Sequence, residues 1–440
     1  MSKVLKKKIL LINPENSVAS SLPIDLMYLA SVAEEAGLEV KISDYNKSGD
    51  LNSDLDAFSP DYILAKISIP TFKSDMELLA LAKSKMPNLC VIVFGEPFLT
   101  YNTNVIYENP FVDYVIIGEP ELPLQDILNN VANEDILGIC YAENHQGVNV
   151  KGIRNEMRTP NESLDLLPFP ARHLLNNDLY KSSFNSKVQT VVQISRGVQK
   201  YCFFDLESSV LGVGTRKRAV DNIIAEIKEC VDKYKIKDFY FMSENFNFDK
   251  DWAIDLCQKI IESKLQITWS TKLDINDFDD DIAKVMYKSG CRYVNLVVLS
   301  GAQDILNNLA TGIKLDDIRK VVRVLKKNKI KIHNSFVVGL PWETEKTFEE
   351  TVNFAVELRS DYVSFDVPLP LPGTPFFAYV MLNKLAEGNL KFDEASNRPI
   401  VRSHELTKER IEYLQGQAYK RFYKTTKGIN KYLKFIKNMF

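Results

Sequence analysis

Val192 to Asp205 reads VQISRGVQKYCFFD. The stretch starts inside an apolar strand pattern running from Val188 to Ile194, turns at Arg196-Gly197, carries one thiol at Cys202, and leads to an amphipathic helical pattern from Arg218 to Tyr234. A strand, a glycine-marked turn and a helix in that order predict one βα unit of a parallel sheet. The loop then lies at the carboxyl end of the strand, where α/β folds place their ligands. Cys202 in that loop reads either as a small apolar residue or as a metal ligand, because a thiol serves both purposes.

Toward the C-terminus the same alternation continues. Strand patterns at 188–194, 237–242, 265–270, 292–298, 330–338 and 361–366 alternate with helical patterns at 218–234, 249–263, 279–289, 303–309, 315–328 and 346–358. Strands separated by helices in this way predict an incomplete parallel barrel with its active site at the carboxyl ends of the strands. Toward the N-terminus, apolar runs at 9–13, 38–43, 62–68, 89–95 and 112–118 alternate with amphipathic segments at 24–36, 74–85, 102–108 and 122–131. Continuous Val, Ile and Leu runs are the mark of strands buried on both faces, so this half predicts a doubly wound, flavodoxin-like parallel sheet. Its strand ends carry Asn13-Pro14, Ser68-Ile69 and Thr71, Gly95-Glu96-Pro97, and Gly118-Glu119. The expected organisation is an α/β chain of four parts: 1–135 a Rossmann-type domain, 136–185 a connector with a small hairpin, 186–377 the partial barrel, and 378–440 a helical region. In the last part a helical segment is expected at 383–387 and a closing helix at 408–426.

Taken together, these motifs resemble the cobalamin (B12)-binding radical S-adenosylmethionine (SAM) family. The first half carries NPENSVASSLPIDLMYLASVAEEAGLEVKISDYN, with Pro23 at the entry to the first helix, then VIVFGEPF, VDYVIIGEPE and LLPFPARHLL. The second half carries FYFMSENFNFDKDWAIDLC, ITWSTKLDI, the Gly-Leu-Pro-x-Glu-Thr stretch from Gly339 to Thr344, and Pro-Gly-Thr-Pro from Pro372 to Pro375. The resemblance implies an N-terminal cobalamin-binding domain followed by a partial (β/α)6 radical SAM barrel. It implies cobalamin contacts from Pro23, Ser68, Ile69, Thr71, Gly95, Glu96, Pro97, Gly118 and Glu119. No Asp-x-His-x-x-Gly occurs, so a histidine ligand to cobalt is not expected from the first half.

The same resemblance implies a loss. In the family Ser-Arg-Gly is followed by Cys-x3-Cys-x2-Cys, three thiolates that hold a [4Fe-4S] cluster and leave one iron for SAM. Here those positions are Val198, Cys202 and Asp205. Clusters of this kind select soft thiolates, and neither a valine nor a carboxylate replaces two of them. The expectation is therefore no [4Fe-4S] cluster and no tight SAM binding. The fourth strand ends Val297-Val298-Leu299-Ser300-Gly301 where the family has an acidic residue that helps to hold SAM, and Lys272 stands where arginine is common. The residues of this degenerate site are Arg196, Val198, Cys202, Asp205, Ser243, Glu244, Asn245, Leu299 and Ser300. Three functions stay open: a cobalamin enzyme performing methyl transfer or another cobalt-based step, a non-catalytic paralogue that binds cobalamin or a partner enzyme, and a radical SAM methyltransferase with atypical cluster ligands.

Composition narrows the partners. A net charge of −3 gives no general attraction to nucleic acid, so a small-molecule or peptide substrate is expected instead. No apolar run reaches the ~20 residues of a membrane helix. The basic, partly apolar tail GINKYLKFIKNMF reads as a helix packed on the barrel. Six cysteines with no Cys-x2-Cys pair read as reduced thiols, which together with the lack of a cleavable leader pattern predicts a cytoplasmic protein.

Overall fold

In the computed structural model the described residues are 6–15, 22–95, 99, 105–145, 148–199, 202–204, 206, 213–386, 388, 390 and 398–425. The chain divides into two units, Met1–Leu179 with Leu206–Gly212, and Tyr180–Asp205 with Val213–Phe440.

In the first unit the apolar runs form β1 (Lys8–Asn13), β2 (Glu39–Asp44), β3 (Tyr62–Ile67), β4 (Cys90–Gly95) and β5 (Tyr114–Ile116), all parallel and ordered β2-β1-β3-β4-β5. Ile9, Leu10, Leu11 and Ile12 are fully buried, which explains why the run does not alternate. Helices α1 (Ile24–Glu35), α2 (Leu51–Phe58), α3 (Phe72–Lys85), α4 (Val105–Glu108) and α5 (Glu121–Leu128) connect the strands. Strand order reverses between β1 and β3, so the loops after these two strands diverge and leave the crevice that ligands use in such sheets. The hairpin β6 (Ile139–His145) and β7 (Val148–Arg154) is not a free connector as expected. It adds two antiparallel strands beside β5, because Tyr114, Val115 and Ile116 pair with Tyr141, Cys140 and Ile139.

In the second unit β8 (Gln189–Gln193), β11 (Asp238–Met242), β12 (Thr268–Leu273), β13 (Cys291–Leu299), β14 (Lys331–Val337) and β15 (Tyr362–Asp366) form one parallel sheet in that order. Two short strands, β9 (Ser195–Arg196) and β10 (Arg216–Lys217), pair antiparallel beyond β8. The helices are α6 (Val220–Tyr234), α7 (Lys250–Glu262), α8 (Asp280–Ser289), α9 (Gln303–Asn308), α10 (Leu315–Lys327), α11 (Glu345–Leu358), α12 (Pro375–Leu382) and α13 (Lys408–Thr425). Outward residues such as Val294, Leu296, Val298 and Phe336 are buried against the helices in one core.

Two boundaries differ from the sequence reading. Strand β12 begins three residues later than the expected 265, because its ladder opens where Thr268 N–H donates to Lys237 O beside the start of β11. The helix after the barrel is α12 rather than 383–387. Thr374 Oγ1 caps it by accepting from Phe377 N–H, and Pro375 fits its first turn, where no intrahelical donor is needed.

Candidate active site

The Ser-Arg-Gly signature is held by packing and backbone demands. Ser195 Oγ and Ser243 Oγ lie 2.6 Å apart, tying the ends of β8 and β11 together. Arg196 Nη2 donates to Gln193 Oε1. Gly197 has φ +95°, and a Cβ there would stand 2.3 Å from Gly214 O, so only glycine fits where the loop closes on itself. Val198 is 3% exposed and its backbone bridges Val213. Behind the strand ends Arg218 and Glu226, both buried, form an ion pair, and Arg218 also donates to Gln193 O. This pair fixes the start of α6 under β8.

The loop residues then reach a cavity of about 210 Å³ at the carboxyl ends of the barrel strands, lined in part by Val198, Cys202, Glu244, Asn245 and Leu299. Five of the expected site residues therefore meet. Phe203 also faces it and packs on Trp342, Phe376 and Tyr379 with ring centroids 5.2, 5.6 and 6.2 Å away. Part of its lining is apolar (Val297, Leu299, Leu309, Ile313) and part polar (Glu244, Asn245, Asp274, Asn276). Lys272 Nζ pairs with Glu244 Oε1 at 2.8 Å. Asp274 and Asn276 were missed by sequence reading, because ending the third strand at 270 instead of Leu273 put them deep in the loop rather than at the strand's carboxyl end.

Leu299 takes φ +66°, and Ser300 N–H donates to Val298 O at 2.9 Å, a tight γ-turn of the strained positive-φ kind. Ser300 itself turns away from the cavity. It is fully buried with Oγ 3.0 Å from Thr351 Oγ1 on α11, a contact that holds the turn. Gly301 N–H also donates to Thr351 Oγ1, and a Cβ on Gly301 would lie 2.6 Å from Phe354 Cβ.

In the first unit, Pro23 precedes α1 and Ser68, Ile69 and Thr71 follow β3, on the two sides of the strand-order reversal. Ser68 Oγ and Thr71 Oγ1 are 2.8 Å apart, and Thr71 Oγ1 donates to Asp75 Oδ2 at 2.8 Å. Ile69 is buried. Gly95 was expected to make room for a ligand. The structure gives another reason, since a Cβ there would stand 2.0 Å from Ile67 O, inside the neighbouring strand. Gly118 has φ +81°, where a Cβ would touch only Met157 Cε at 3.9 Å, and Glu119 Oε2 accepts from Asn161 N–H. Glu96, Pro97 and Asp205 lie outside the described residues, as do Tyr101, Tyr201 and the tail from 428. Trp269 is 1% exposed and belongs to the helix-side core.

Of the three positions where the resemblance places cluster thiolates, Val198 offers no donor atom, Cys202 offers one thiol, and Asp205 lies outside the described residues. The first unit has the strand-order reversal at which such sheets take ligands, with Pro23, Ser68 and Thr71 in the loops beside it.

Residues 16–128 match the B12 binding domain model, and residues 200–355 match the radical SAM superfamily model. A protein of Pyrococcus horikoshii named as an uncharacterized methyltransferase is 29% identical over 433 residues, covering 94% of this chain and 92% of that protein. Cytidylyl-2-hydroxyethylphosphonate methyltransferase of Streptomyces wedmorensis is 23% identical, covering 84% of this chain and 80% of its own length. The radical SAM methyltransferase TsrM of Kitasatospora setae, solved with cobalamin and a [4Fe-4S] cluster, superposes with a TM-score of 0.69 at 17% identity over 86% of this chain and 75% of that one. The fold is thus shared with a protein that holds a cluster, which runs against the expectation of none here; that expectation rests on residues 198, 202 and 205. Among the described residues no helix is long and apolar enough to cross a membrane.

Proposed function

Since this chain belongs to the B12-binding radical SAM family, we propose that it is a cobalamin-dependent, methyltransferase-like enzyme whose acceptor, a small molecule or peptide, occupies the barrel cavity. In this reading no [4Fe-4S] cluster forms at residues 198–205. The observation that carries it is the cavity itself: Val198 and Cys202 line it together with Glu244, Asn245 and Leu299, and Val198 brings no thiolate to it. Bound cobalamin would supply a cobalt centre that carries a methyl group. Pro23, Ser68, Ile69, Thr71 and Gly118 are the described residues that would border it.

The chain's own groups do the rest. The apolar lining of Val297, Leu299 and Ile313 keeps water from the acceptor, and dry surroundings strengthen each polar contact made there. Glu244, its charge balanced by Lys272, accepts hydrogen bonds from the acceptor, and Asn245 either donates or accepts.

SAM affinity tests the cluster-free part. Without an iron to grip it, SAM would rely on neutral hydrogen bonds of ~1 kcal/mol each against an association cost of several kcal/mol. Calorimetry on the anaerobic protein is expected to give a Kd of about millimolar or weaker, with no deoxyadenosine formed on adding dithionite. Micromolar binding, or deoxyadenosine in the product mixture, contradicts the cluster-free reading.

A further inference from the structure

Below the cavity, the barrel lumen has a polar wall that the reading above leaves unused. Parallel pairing sets Lys272 of β12 beside Asn295 of β13, and Asn295 beside His333 of β14. Alternation turns all three inward, because their neighbours Leu273, Val294, Leu296 and Ile332 are buried in the helix-side core. Lys272 and Asn295 keep some surface accessible, as do the inward Val297 and Ser335, and His333 keeps a little although its Nε2 is enclosed. Its lower end is closed. Phe184 stacks on Tyr293 at 4.6 Å, and Asp238 accepts from Asn185, Gln189 and Thr268.

The hydrogen-bonding sense of this wall is set by the chain. Ser335 Oγ donates to Asn295 Oδ1 at 2.8 Å, occupying the acceptor of the amide. Its two Nδ2 hydrogens have no protein acceptor among the described residues. Net charge is absent: Lys272 is paired with Glu244, and burial pushes His333 down to about 4, leaving a neutral imidazole at pH 7. A carboxylate or phosphate would lose its water there without meeting an unpaired cation. A carbonyl oxygen would meet an N–H donor of the Asn295 amide.

We propose that Asn295, with His333 beside it, anchors the uncharged, carbonyl-bearing end of the methyl acceptor at the floor of the lumen. This assignment rests on the reading of the barrel as the acceptor chamber. Acetamide and acetate are suitable probes, titrated into full-length, cobalamin-supplied protein labelled with 15N at asparagine side chains. The Asn295 NH2 signals, assigned through Asn295→Ser, are expected to shift with acetamide at a concentration at least tenfold below that needed with acetate. Asn295→Asp, which keeps the Ser335 bond but replaces the donors by an acceptor, is expected to weaken acetamide binding at least tenfold, read in wild type and variants alike by saturation transfer to the acetamide methyl. If that variant does not fold, Asn295→Ser must show the same loss. Acetate binding as well as acetamide, or acetamide binding unchanged in the folded variants, overturns the proposal. Cobalamin absorbance is recorded on the same samples. Retained cobalamin with a failed acetamide titration sinks the anchor alone, whereas wild-type protein that takes up no cobalamin sinks the methyl-transfer reading.

Discussion

Glu343 is a carboxylic acid enclosed by its own loop, with Gly339 N–H donating to Oε2 and no hydrogen-bond partner at Oε1 among the described residues. Burial outweighs that bond and pushes its pKa from 4.5 to about 8. The folded state therefore holds a proton that the unfolded chain releases, so stability from this group is complete below pH 4.5 and lost as pH rises toward 8. The slope across that window is about 1.4 kcal/mol per pH unit at its steepest. Glu343→Gln keeps an acceptor for Gly339 N–H and cannot ionise. Melting curves from pH 5 to 9 are expected to show the wild type losing Tm with rising pH and the variant holding it, with the variant the more stable above pH 8. Parallel curves for the two proteins would mean that Glu343 stays ionised in the fold. Sequence reading matched Glu343 to the family's Gly-Leu-Pro-x-Glu-Thr stretch but gave no reason for an acid there, because its burial depends on Ser403 and the turn after it, more than fifty residues downstream.

Elements show the same division between local and distant causes. The parallel strands were legible because a strand buried on both faces must be a continuous apolar run. That continuity hid which residues of VNLVVL face the lumen, and only the pairing of Asn295 with Ser335 reveals it. α2 was missed because LNSDLDAF has few apolar residues; the available signal was Asp50, whose side chain accepts from Ser53 N–H as an N-cap. Gly95, Gly197 and Gly301 each stood at the expected strand end or turn. The backbones and side chains that exclude a Cβ come from elsewhere in the chain, so the reason for each glycine was not local. The α6 entry depends on Arg218 and Glu226, 3% and 0% exposed. Glu226→Ala strands a buried guanidinium and is expected to cost about 3–5 kcal/mol in urea unfolding. A loss under ~1 kcal/mol would place the pair in solvent, where ion pairs contribute little.

At the scale of the molecule, two α/β units carry two different readings of one ancestry. The first has the strand-order reversal, with Ser68 and Thr71 hydrogen-bonded to each other in the loop after β3. The second keeps its sheet, its glycines and its cavity, while the residues at positions 198 and 299 are apolar. Preserved backbone requirements beside altered donor atoms are what a site with changed chemistry would look like, since the fold constrains the glycines and the chemistry constrains the ligands. The central claim is cobalamin without a cluster, and metal content tests it most directly. Protein expressed with cobalamin supplied and then reconstituted anaerobically with iron and sulfide is analysed for cobalt and iron, with an absorption spectrum of the same sample. The account predicts about one cobalt per chain, a corrin spectrum and iron well below one per chain. About four irons per chain with cluster absorbance that disappears in Cys202→Ala would contradict it.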